Sequence, residues 1–316
     1  MRHLLAGGGG FIGSHISDLL LGRGDEVVAV DNFATGRRSN VAHLADHHGF
    51  TLIEHDITSP LPDFGGKFDT VLDLASPASP VDFATMPLAI LAVGSTGTRH
   101  LLDLALDHEA RFFLASTSEV YGDPLIHPQP ETYWGNVSSI GPRSCYDEAK
   151  RFSEAITMAY HRVHGLDVRI ARIFNTYGER MRPDDGRVVN TLLVQALLGE
   201  PITLHGDGSQ TRSFVHVADE IVGLTAVLDG DLTGPINVGN PGEFTIRQLA
   251  ELVVELTNSA SEIITVPLPP EREGDPAQRC PDISLISSAY GWKPTIELRD
   301  GLTRLIDLFR SAEGIG

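Results

Sequence analysis

The glycine-rich segment AGGGGFIGSH, residues 6–15, constrains this chain more than any other feature. It follows a short apolar run and opens an amphipathic stretch. Its glycines satisfy two spacings, GxGxxG from Gly8 and GxxGxxG from Gly7, and both end at Gly13. Glycines at such spacings let the backbone approach a pyrophosphate, which rests on the unpaired N–H groups of a helix N-terminus. The alternative is a glycine turn that only packs a strand against a helix. The segment therefore predicts a strand–turn–helix unit, with dinucleotide binding as a hypothesis.

Asp31 strengthens this hypothesis. It ends the next apolar run, EVVAVD, 18 residues after Gly13. A carboxylate at the end of the second strand accepts hydrogen bonds from the adenosine ribose and repels the 2′-phosphate of NADP, so it selects NAD. Arg37 and Arg38 follow closely and weaken that selection. Asp56, at the end of the third run, is a candidate for the adenine edge.

The first half of the chain alternates β-branched runs with amphipathic stretches. This alternation is typical of a doubly wound parallel α/β sheet (Rossmann) with right-handed crossovers. The predicted strands are residues 3–7, 26–31, 50–56, 70–75, 111–117 and 167–174, and the predicted helices are 13–22, 87–108 and 146–164.

After Phe174 the pattern changes, because glycine, proline and arginine accumulate. Further helices are predicted at residues 188–198, 217–228, 245–259 and 298–310. We predict a Rossmann domain of residues 1–175 plus about 212–238, and a smaller C-terminal substrate-binding lobe of about 176–211 plus 239–316.

The charge balance restricts the partners. The chain has 24 basic and 42 acidic residues, a formal net charge of −18, which disfavours nucleic acid and anionic membranes. No apolar run approaches the roughly 20 residues that a membrane span needs. Cys145 and Cys280 have no CxxC spacing, so we expect reduced thiols and a cytoplasmic protein, with a disulfide between them as the alternative.

The segment YDEAK places Tyr146 and Lys150 one turn apart on a predicted helix. A free phenol has a pKa of roughly 10, and a nearby ammonium together with an oxidised nicotinamide would lower it toward neutrality. A Tyr/Lys pair on a solvated helix is the ordinary alternative. The polar strand end Thr117-Ser118-Glu119 favours the catalytic interpretation, because side chains for chemistry gather at strand carboxyl ends in such sheets.

Together these segments resemble the extended short-chain dehydrogenase/reductases that act on nucleotide sugars, and within them the UDP-glucuronate decarboxylases, or UDP-xylose synthases. The blocks that carry the resemblance are LASPASP (74–80), ASTSEVYGDP (115–124), YWGNV (133–137), IGPRSCYDEAKR (140–151), RIARIFNTYG (169–178), DGRVV (185–189), DGSQTRSF (207–214) and NVGNP (237–241).

The resemblance implies NAD-dependent decarboxylation of UDP-glucuronate to UDP-xylose through a UDP-4-keto intermediate, because a C4 ketone lets the C5–C6 bond release CO2. The implied catalytic residues are Tyr146, Lys150, Thr117, Ser118, Glu119 and Arg279. Tyr146 would take the C4 hydroxyl proton, Lys150 would hold the nicotinamide ribose, and Thr117 would bond near the reacting hydroxyl. Ser118 and Glu119 would assist proton movement near C5 and C6. Arginine hardly deprotonates, which favours an electrostatic role for Arg279.

The resemblance also implies the binding residues. Those expected to contact NAD are Gly7, Gly10, Phe11, Ile12, Gly13, Asp31, Asn32, Asp56, Ile57, Leu74, Ala75, Tyr146 and Lys150. Those expected to contact the UDP-sugar acid are Asn175, Arg187, Thr203, Arg212 and Arg279, with Arg180 or Arg182 nearby. Several arginines are required because the substrate carries about three negative charges.

Other functions stay open at this point. Related dehydratases place an acid where this chain has Ser118, since loss of a hydroxyl needs a general acid, and 4-epimerases usually lack the following glutamate. A different nucleotide-sugar 4,6-dehydratase or 4-epimerase remains an alternative, as does a non-catalytic NAD-binding sensor. His43, His47 and His48 are expected on a solvated helix face, without metal.

Three positions depart from the resembled pattern. Ala6 replaces a threonine, and Glu179 replaces a proline and is expected to loosen the loop that carries Arg180. Gly94 replaces an asparagine that steadies the backbone behind the nicotinamide, so we expect some 4-keto product to escape.

The resemblance also implies a homodimer through a four-helix interface. The candidate apolar residues are Ile90, Leu91, Leu101, Leu102, Leu104, Ile156 and Met158, although burial in the core explains them equally well.

Overall fold

The computed structural model describes residues 1–268 and 274–311. The strands are β1 (Arg2–Ala6), β2 (Glu26–Asp31), β3 (Phe50–Glu54), β4 (Thr70–Asp73), β5 (Arg111–Thr117), β6 (Val168–Ile173), β7 (Thr176–Tyr177), β8 (Ile202–His205), β9 (Thr211–Ser213), β10 (Val215–His216), β11 (Pro235–Val238), β12 (Glu243–Thr245), β13 (Ile263–Val266) and β14 (Gln278–Arg279). The α-helices are α1 (Phe11–Gly22), α2 (Pro80–Thr85), α3 (Pro87–Ala92), α4 (Thr98–His108), α5 (Ser144–His164), α6 (Val188–Leu198), α7 (Val217–Asp229), α8 (Ile246–Thr257), α9 (Ser284–Tyr290) and α10 (Leu298–Ser311).

A seven-stranded parallel sheet organises the larger part of the chain, in the order β11-β6-β5-β4-β1-β2-β3. The predicted doubly wound parallel sheet is therefore confirmed. The chain builds the sheet outward from β1 in two directions: β2 and β3 lie on one side of it, and β4, β5, β6 and β11 lie on the other. The switch point is therefore between β1 and β4. In such sheets the crevice outside the strand carboxyl ends at this switch point is where ligands bind.

Both faces of the sheet are buried, because alternate residues of each strand point to opposite sides. In β1, Leu5 joins a core with α1 and α7, whereas Leu4 and Ala6 join a core with α4. Ile286 and Trp292 also pack into the α1–α7 core, although their segment was assigned to the smaller lobe.

The smaller lobe has a core of its own. Buried apolar residues of α6, α8 and α10 meet those of β8, as Leu193, Val253, Leu305 and Ile202 illustrate. β11 and α7 return to the large sheet, as the sequence predicts for the segment that ends near residue 238. Neither cysteine is in a disulfide, and both are buried. Among the described helices, none is long and apolar enough to cross a membrane.

The helix predicted over residues 87–108 is interrupted. A π-helical turn, Val93–Gly97, separates α3 from α4. Gly94 in this turn packs so closely on α5 that a Cβ would lie 2.8 Å from the Cβ of Ala149, and its carbonyl accepts a hydrogen bond from Ser153 Oγ at 2.7 Å. The π turn thus brings the backbone against the helix that carries Tyr146 and Lys150.

Candidate active site

Three adjoining cavities follow the carboxyl edge of the large sheet. The edge cavity is lined by residues that include Asp31, Asn32, Asp56, Ile57, Leu74 and Ala75. The central cavity is lined by Gly7, Gly10, Phe11, Ile12, Gly13, Thr117, Ser118, Glu119, Tyr146 and Lys150, among others. The lobe cavity is lined by residues that include Thr203, Arg212 and Arg279, and it shares Glu119, Asn175 and Arg187 with the central cavity. Every predicted site residue lines at least one of these cavities.

The glycine segment forms a cradle that no other residue type would fit. Gly7 has φ +85°, and a Cβ on it would lie 2.8 Å from the carbonyl of Leu74. A Cβ on Gly13 would lie 2.1 Å from the Gly7 oxygen. Gly10, the N-cap of α1, has no side chain that could bond the first N–H groups of this helix. The segment therefore fits a dinucleotide pyrophosphate.

Asp31 lines the edge cavity and is already anchored. Its two carboxylate oxygens accept hydrogen bonds from the Gly9 and Phe33 N–H groups, each at 2.8 Å. Burial raises the pKa of Asp31, while the backbone N–H groups oppose the shift. Asn32 donates to Asp56 at 3.1 Å, which joins the ends of β2 and β3 at the floor of the edge cavity.

Tyr146 and Lys150 line the central cavity side by side on α5, and both are buried. Lys150 Nζ donates to the Ala115 carbonyl at 2.8 Å. Burial lowers the pKa of Lys150, and the carboxylates of Asp73 and Glu154 oppose this. The surface-pair alternative for Tyr146 and Lys150 is excluded by their burial.

The expected acidification of Tyr146 is not produced by the protein groups alone. Burial raises the pKa of Tyr146 to about 12, Thr117 lowers it by a hydrogen bond, and the Glu119 charge raises it. This acidification was expected from the Lys150 ammonium together with an oxidised nicotinamide; among the protein groups, burial outweighs every neighbouring charge. The positive ring of an oxidised nicotinamide is the remaining group that would favour the phenolate.

Glu119 is held as a carboxylate between two arginines. Arg279 binds it through two hydrogen bonds of 2.6 Å, and Arg143 Nη2 lies 2.8 Å from it. Burial would raise the pKa of Glu119, but the charges of Arg143 and Arg279 outweigh burial and hold the pKa at about 2. Arg143 Nη1 also lies 2.5 Å from Asp275 Oδ1. This contact links the group Arg143–Glu119–Arg279, here called the clamp, to the smaller lobe. Glu119 is therefore ionised at neutral pH.

The lobe cavity contains a partly buried cation with little compensation. Burial lowers the pKa of Arg212 to about 10, and Arg279 adds to the effect. Its Nη1 donates to the Thr211 carbonyl at 2.8 Å, and no carboxylate among the described residues forms an ion pair with it. Arg187 is paired with Asp185, and Asn175 donates to the Ser213 carbonyl at 3.4 Å. The cavity is suited to an anion.

Three buried charged residues in or next to this site were not predicted from the sequence. Arg143 and Asp147 lie inside the quoted block RSCYDEAKR, but nothing local shows that both are buried. Asp73 ends β4, is 1% exposed, and accepts a hydrogen bond from Thr98 at 2.8 Å. Its position at a strand carboxyl end was the available signal.

Two local expectations are wrong. Glu179 does not loosen its loop: its carbonyl lies 2.9 Å from His15 Nε2, and the next residue, Arg180, is 2.6 Å from Asp18. These contacts fasten the loop to α1. His43 lies in a 3₁₀ turn, Ala42–Leu44, instead of an α-helix face, and is 2.7 Å from Asp18.

His47 and His48 are stacked on each other, with ring centroids 4.9 Å apart. The three histidines therefore do not share one helix face, because the short 3₁₀ turn ends before residue 47.

The chain is similar to known proteins over nearly its whole length. Residues 4–305 match the family described as GDP-mannose 4,6 dehydratase. The chain is 51% identical over 311 residues to UDP-glucuronic acid decarboxylase 3 of Arabidopsis thaliana, covering 98% of this chain and 89% of that protein. It is 47% identical over 308 residues to UDP-glucuronic acid decarboxylase 1 of Danio rerio, covering 98% and 72%.

Solved structures show the same fold. A dTDP-glucose 4,6-dehydratase from Streptomyces venezuelae, with NAD and TYD bound, superposes with a TM-score of 0.90 at 29% identity, covering 99% of this chain and 98% of that one. A UDP-glucuronic acid 4-epimerase from Bacillus cereus, in complex with UDP-glucuronic acid and NAD, superposes with a TM-score of 0.87 at 28% identity, covering 98% and 99%.

Proposed function

The chain belongs to the UDP-glucuronic acid decarboxylase family, which confirms the resemblance seen in its sequence, and from this membership we propose that it decarboxylates UDP-glucuronate to UDP-xylose with NAD as cofactor. The observation that carries the proposal is the joint placement of Tyr146, Lys150 and the Arg143–Glu119–Arg279 clamp around one cavity system. NAD, when bound, supplies the oxidation of C4 and its later reduction.

The residues of the chain would divide the remaining work. Tyr146 accepts the C4 hydroxyl proton, and Thr117, which already hydrogen-bonds the phenol, orients it. Lys150 is fixed by the Ala115 carbonyl and holds the nicotinamide ribose. The glycine cradle takes the pyrophosphate, and Asp31 and Asp56 face the adenosine.

The second half of the site would bind the acid and the uridine diphosphate. Arg279 keeps positive charge beside the C6 carboxylate, while Ser118 and Glu119 shape the wall around C5. Arg212, whose charge has no carboxylate partner among the described residues, meets the diphosphate with Asn175 and Arg187. Thr203 lies at the uracil end. Charge matching of this kind orients a polyanion as well as binding it.

The proposal is tested by incubating the protein with UDP-glucuronate and NAD, and measuring CO2 release and the mass of the nucleotide product. We expect UDP-xylose from the wild type and at least a hundredfold slower release from Tyr146→Phe. A product that keeps C6 would instead indicate a 4-epimerase, and a product that has lost water would indicate a dehydratase. Binding of NAD without turnover of UDP-glucuronate would indicate a sensor.

We also propose that a fraction of turnovers releases UDP-4-keto-pentose. Gly94 has no side chain to bond the backbone behind the nicotinamide, and Ala149 occupies the space where a Cβ would stand. Chromatography should detect free 4-keto product together with reduced cofactor. Strictly stoichiometric UDP-xylose would contradict this proposal.

We further propose a cytoplasmic homodimer that acts without nucleic acid or membrane, with a Rossmann domain and a smaller substrate-binding lobe. Of the candidate interface residues, Ile90, Leu101 and Leu102 are fully buried within the chain. The exposed apolar residues Leu88, Leu91 and Phe152 on α3 and α5 are better suited to an interface. Sedimentation velocity should show a dimer for the wild type and a monomer for Leu88→Glu.

A further inference from the structure

Three side chains of the types that ligate metals converge outside the cleft. His127 lies between β5 and α5, Glu243 begins β12, and Cys280 follows β14. One ligand atom from each residue lies within 4.8 Å of the ligand atoms of the other two. None of the three residues lines the cavities described above. The group, here called the His–Glu–Cys cluster, is therefore separate from the residues proposed to bind NAD and the UDP-sugar.

The imidazole and the carboxylate of this cluster already face each other. His127 Nε2 lies 2.8 Å from Glu243 Oε2. The second carboxylate oxygen, Oε1, accepts a hydrogen bond from Thr211 Oγ1 at 2.8 Å, which fixes the carboxylate with Oε2 directed at the ring. Supporting bonds of this kind orient the ligands of protein metal sites. The two side chains are 26% and 30% exposed, so an ion can reach them from solvent.

Cys280 adds a softer ligand from the buried side of the cluster. This residue is 2% exposed, and its thiol donates to the Pro241 carbonyl at 3.3 Å. Its backbone N–H donates to the side-chain oxygen of Gln129 at 2.9 Å. The nitrogen of the same amide donates to the Ile126 carbonyl at 2.9 Å and lies 3.3 Å from His127 Nδ1. Gln129 thus joins the segments that carry the thiol and the imidazole.

We propose that the His–Glu–Cys cluster binds one divalent ion of the zinc class, with water in the fourth position. An imidazole nitrogen, a carboxylate oxygen and a thiolate are the ligands that Zn2+ takes in tetrahedral sites, whereas Mg2+ and Ca2+ require oxygen ligands. Tetrahedral ligand atoms around zinc stand roughly 3.5 Å apart, so the cluster must contract by about 1 Å. Its two partly exposed side chains allow this movement.

Metal binding exchanges a proton for the ion without oxidation or reduction. The S–H bond of Cys280 breaks, its proton goes to solvent, and a metal–sulfur bond forms. Gln129 presents an N–H to His127 Nδ1, so the ring proton is on Nε2, and it moves to Nδ1 when Nε2 ligates the ion. The 3.3 Å contact then lengthens, since both of its nitrogens carry hydrogens. The thiolate and the Glu243 carboxylate together neutralise the two charges of the ion.

A filled site would also fix the segment that carries one half of the clamp. Cys280 directly follows Arg279, which binds Glu119 through two hydrogen bonds of 2.6 Å. An ion that binds the folded chain and not the unfolded chain stabilises the fold. Because the cluster lies outside the cavities, metal binding is tested separately from CO2 release, and either can fail without the other.

Cobalt is the probe, because a thiolate bound to Co2+ gives an intense charge-transfer absorption in the near ultraviolet. Co2+ is titrated into the untagged chain after treatment with a chelator. We expect one Co2+ per chain with this absorption, and its loss when Zn2+, but not Mg2+, is added. Cys280→Ser should abolish the absorption, whereas the matched control Cys145→Ser, at the other cysteine, should retain it. Co2+ on exposed imidazoles such as that of His48 gives no such absorption.

Two further measurements separate ligation from a structural effect. Glu243→Gln keeps the size of a partly exposed side chain and should weaken Co2+ binding at least about tenfold. Added Zn2+ should raise the Tm of the wild type and of Cys145→Ser, but not that of Cys280→Ser. Absence of the charge-transfer absorption from the wild type would overturn the proposal, as would its persistence in Cys280→Ser. Unchanged Co2+ affinity in Glu243→Gln, or an equal effect of Zn2+ on the Tm of the wild type and Cys280→Ser, would overturn it too.

Discussion

The two proposed ends of the cleft, one for the cofactor and one for the substrate, are shaped by different physical means. At the cofactor end, backbone approaches backbone: Gly13 stands where a Cβ would be 2.1 Å from the Gly7 oxygen. At the substrate end, buried side chains neutralise one another, as Arg143 and Arg279 do for Glu119. The first arrangement depends on the absence of atoms and the second on the balance of charges. Substitutions at the glycine end should therefore act by steric clash, and substitutions at the other end should act by leaving a buried charge with too little compensation.

The largest effect is expected from Gly13→Ala. The added methyl cannot be accommodated without moving the loop or α1, so NAD affinity should fall at least a hundredfold. Gly22→Ala on the same helix is the control, since nothing lies within 4 Å of its Cβ, and it should be neutral or stabilise by up to about 1 kcal/mol. Calorimetric titration with NAD measures both. Unchanged affinity in Gly13→Ala would show that the cradle does not approach the pyrophosphate.

The charge-balanced end is tested by comparing two bidentate ion pairs. Arg279→Gln should destabilise by about 3–5 kcal/mol, because it leaves the buried Glu119 carboxylate with a single arginine. Arg299→Gln removes an equally bidentate but exposed pair with Glu255 and should have a much smaller effect on stability, because solvent screens this pair. Urea unfolding of both variants gives the comparison. Equal losses would mean that burial does not set the strength of the clamp.

The pH dependence of stability tests the same balance of charges at Glu119. The folded-state pKa of Glu119, about 2, lies below its ordinary value of 4.5, so its stabilisation is present above pH 4.5 and is lost as the pH falls toward 2. Wild type should therefore lose more unfolding free energy than Glu119→Gln across this window. Parallel acid unfolding curves would contradict the assigned pKa.

The smallest effect is expected from substitution of Asp73, a buried residue whose charge acts on Lys150. The Asp73 charge opposes the burial that lowers the pKa of Lys150. Asp73→Asn should move the alkaline limb of activity to lower pH and slow turnover by about threefold to tenfold. Thr98→Val removes the hydrogen bond to Asp73 but keeps its charge, so a smaller shift is expected. The pH dependence of kcat is measured for both variants. Identical shifts of the alkaline limb would show that the Asp73 charge does not cause them.

Elements that are set by residues close together in the sequence were predicted more accurately than elements that are set by distant contacts. β2 and β5 were predicted with their observed bounds, and α6 likewise, because apolar periodicity and turn residues are local. The helix over 87–108 was predicted as continuous, since a π turn is induced by packing: Gly94 rests on Ala149, more than 50 residues away along the chain.

The amino-acid sequence by itself determined the glycine cradle, the parallel sheet and the residues that line the cleft. These follow from backbone geometry within a few residues and from the strand carboxyl ends sharing one edge. Only the tertiary structure decided which carboxylate is ionised. Glu119 meets Arg279 across 160 positions, while Asp147, the residue directly after Tyr146, forms no ion pair among the described residues. Charge state is set by burial and by distant neighbours, which no local pattern records.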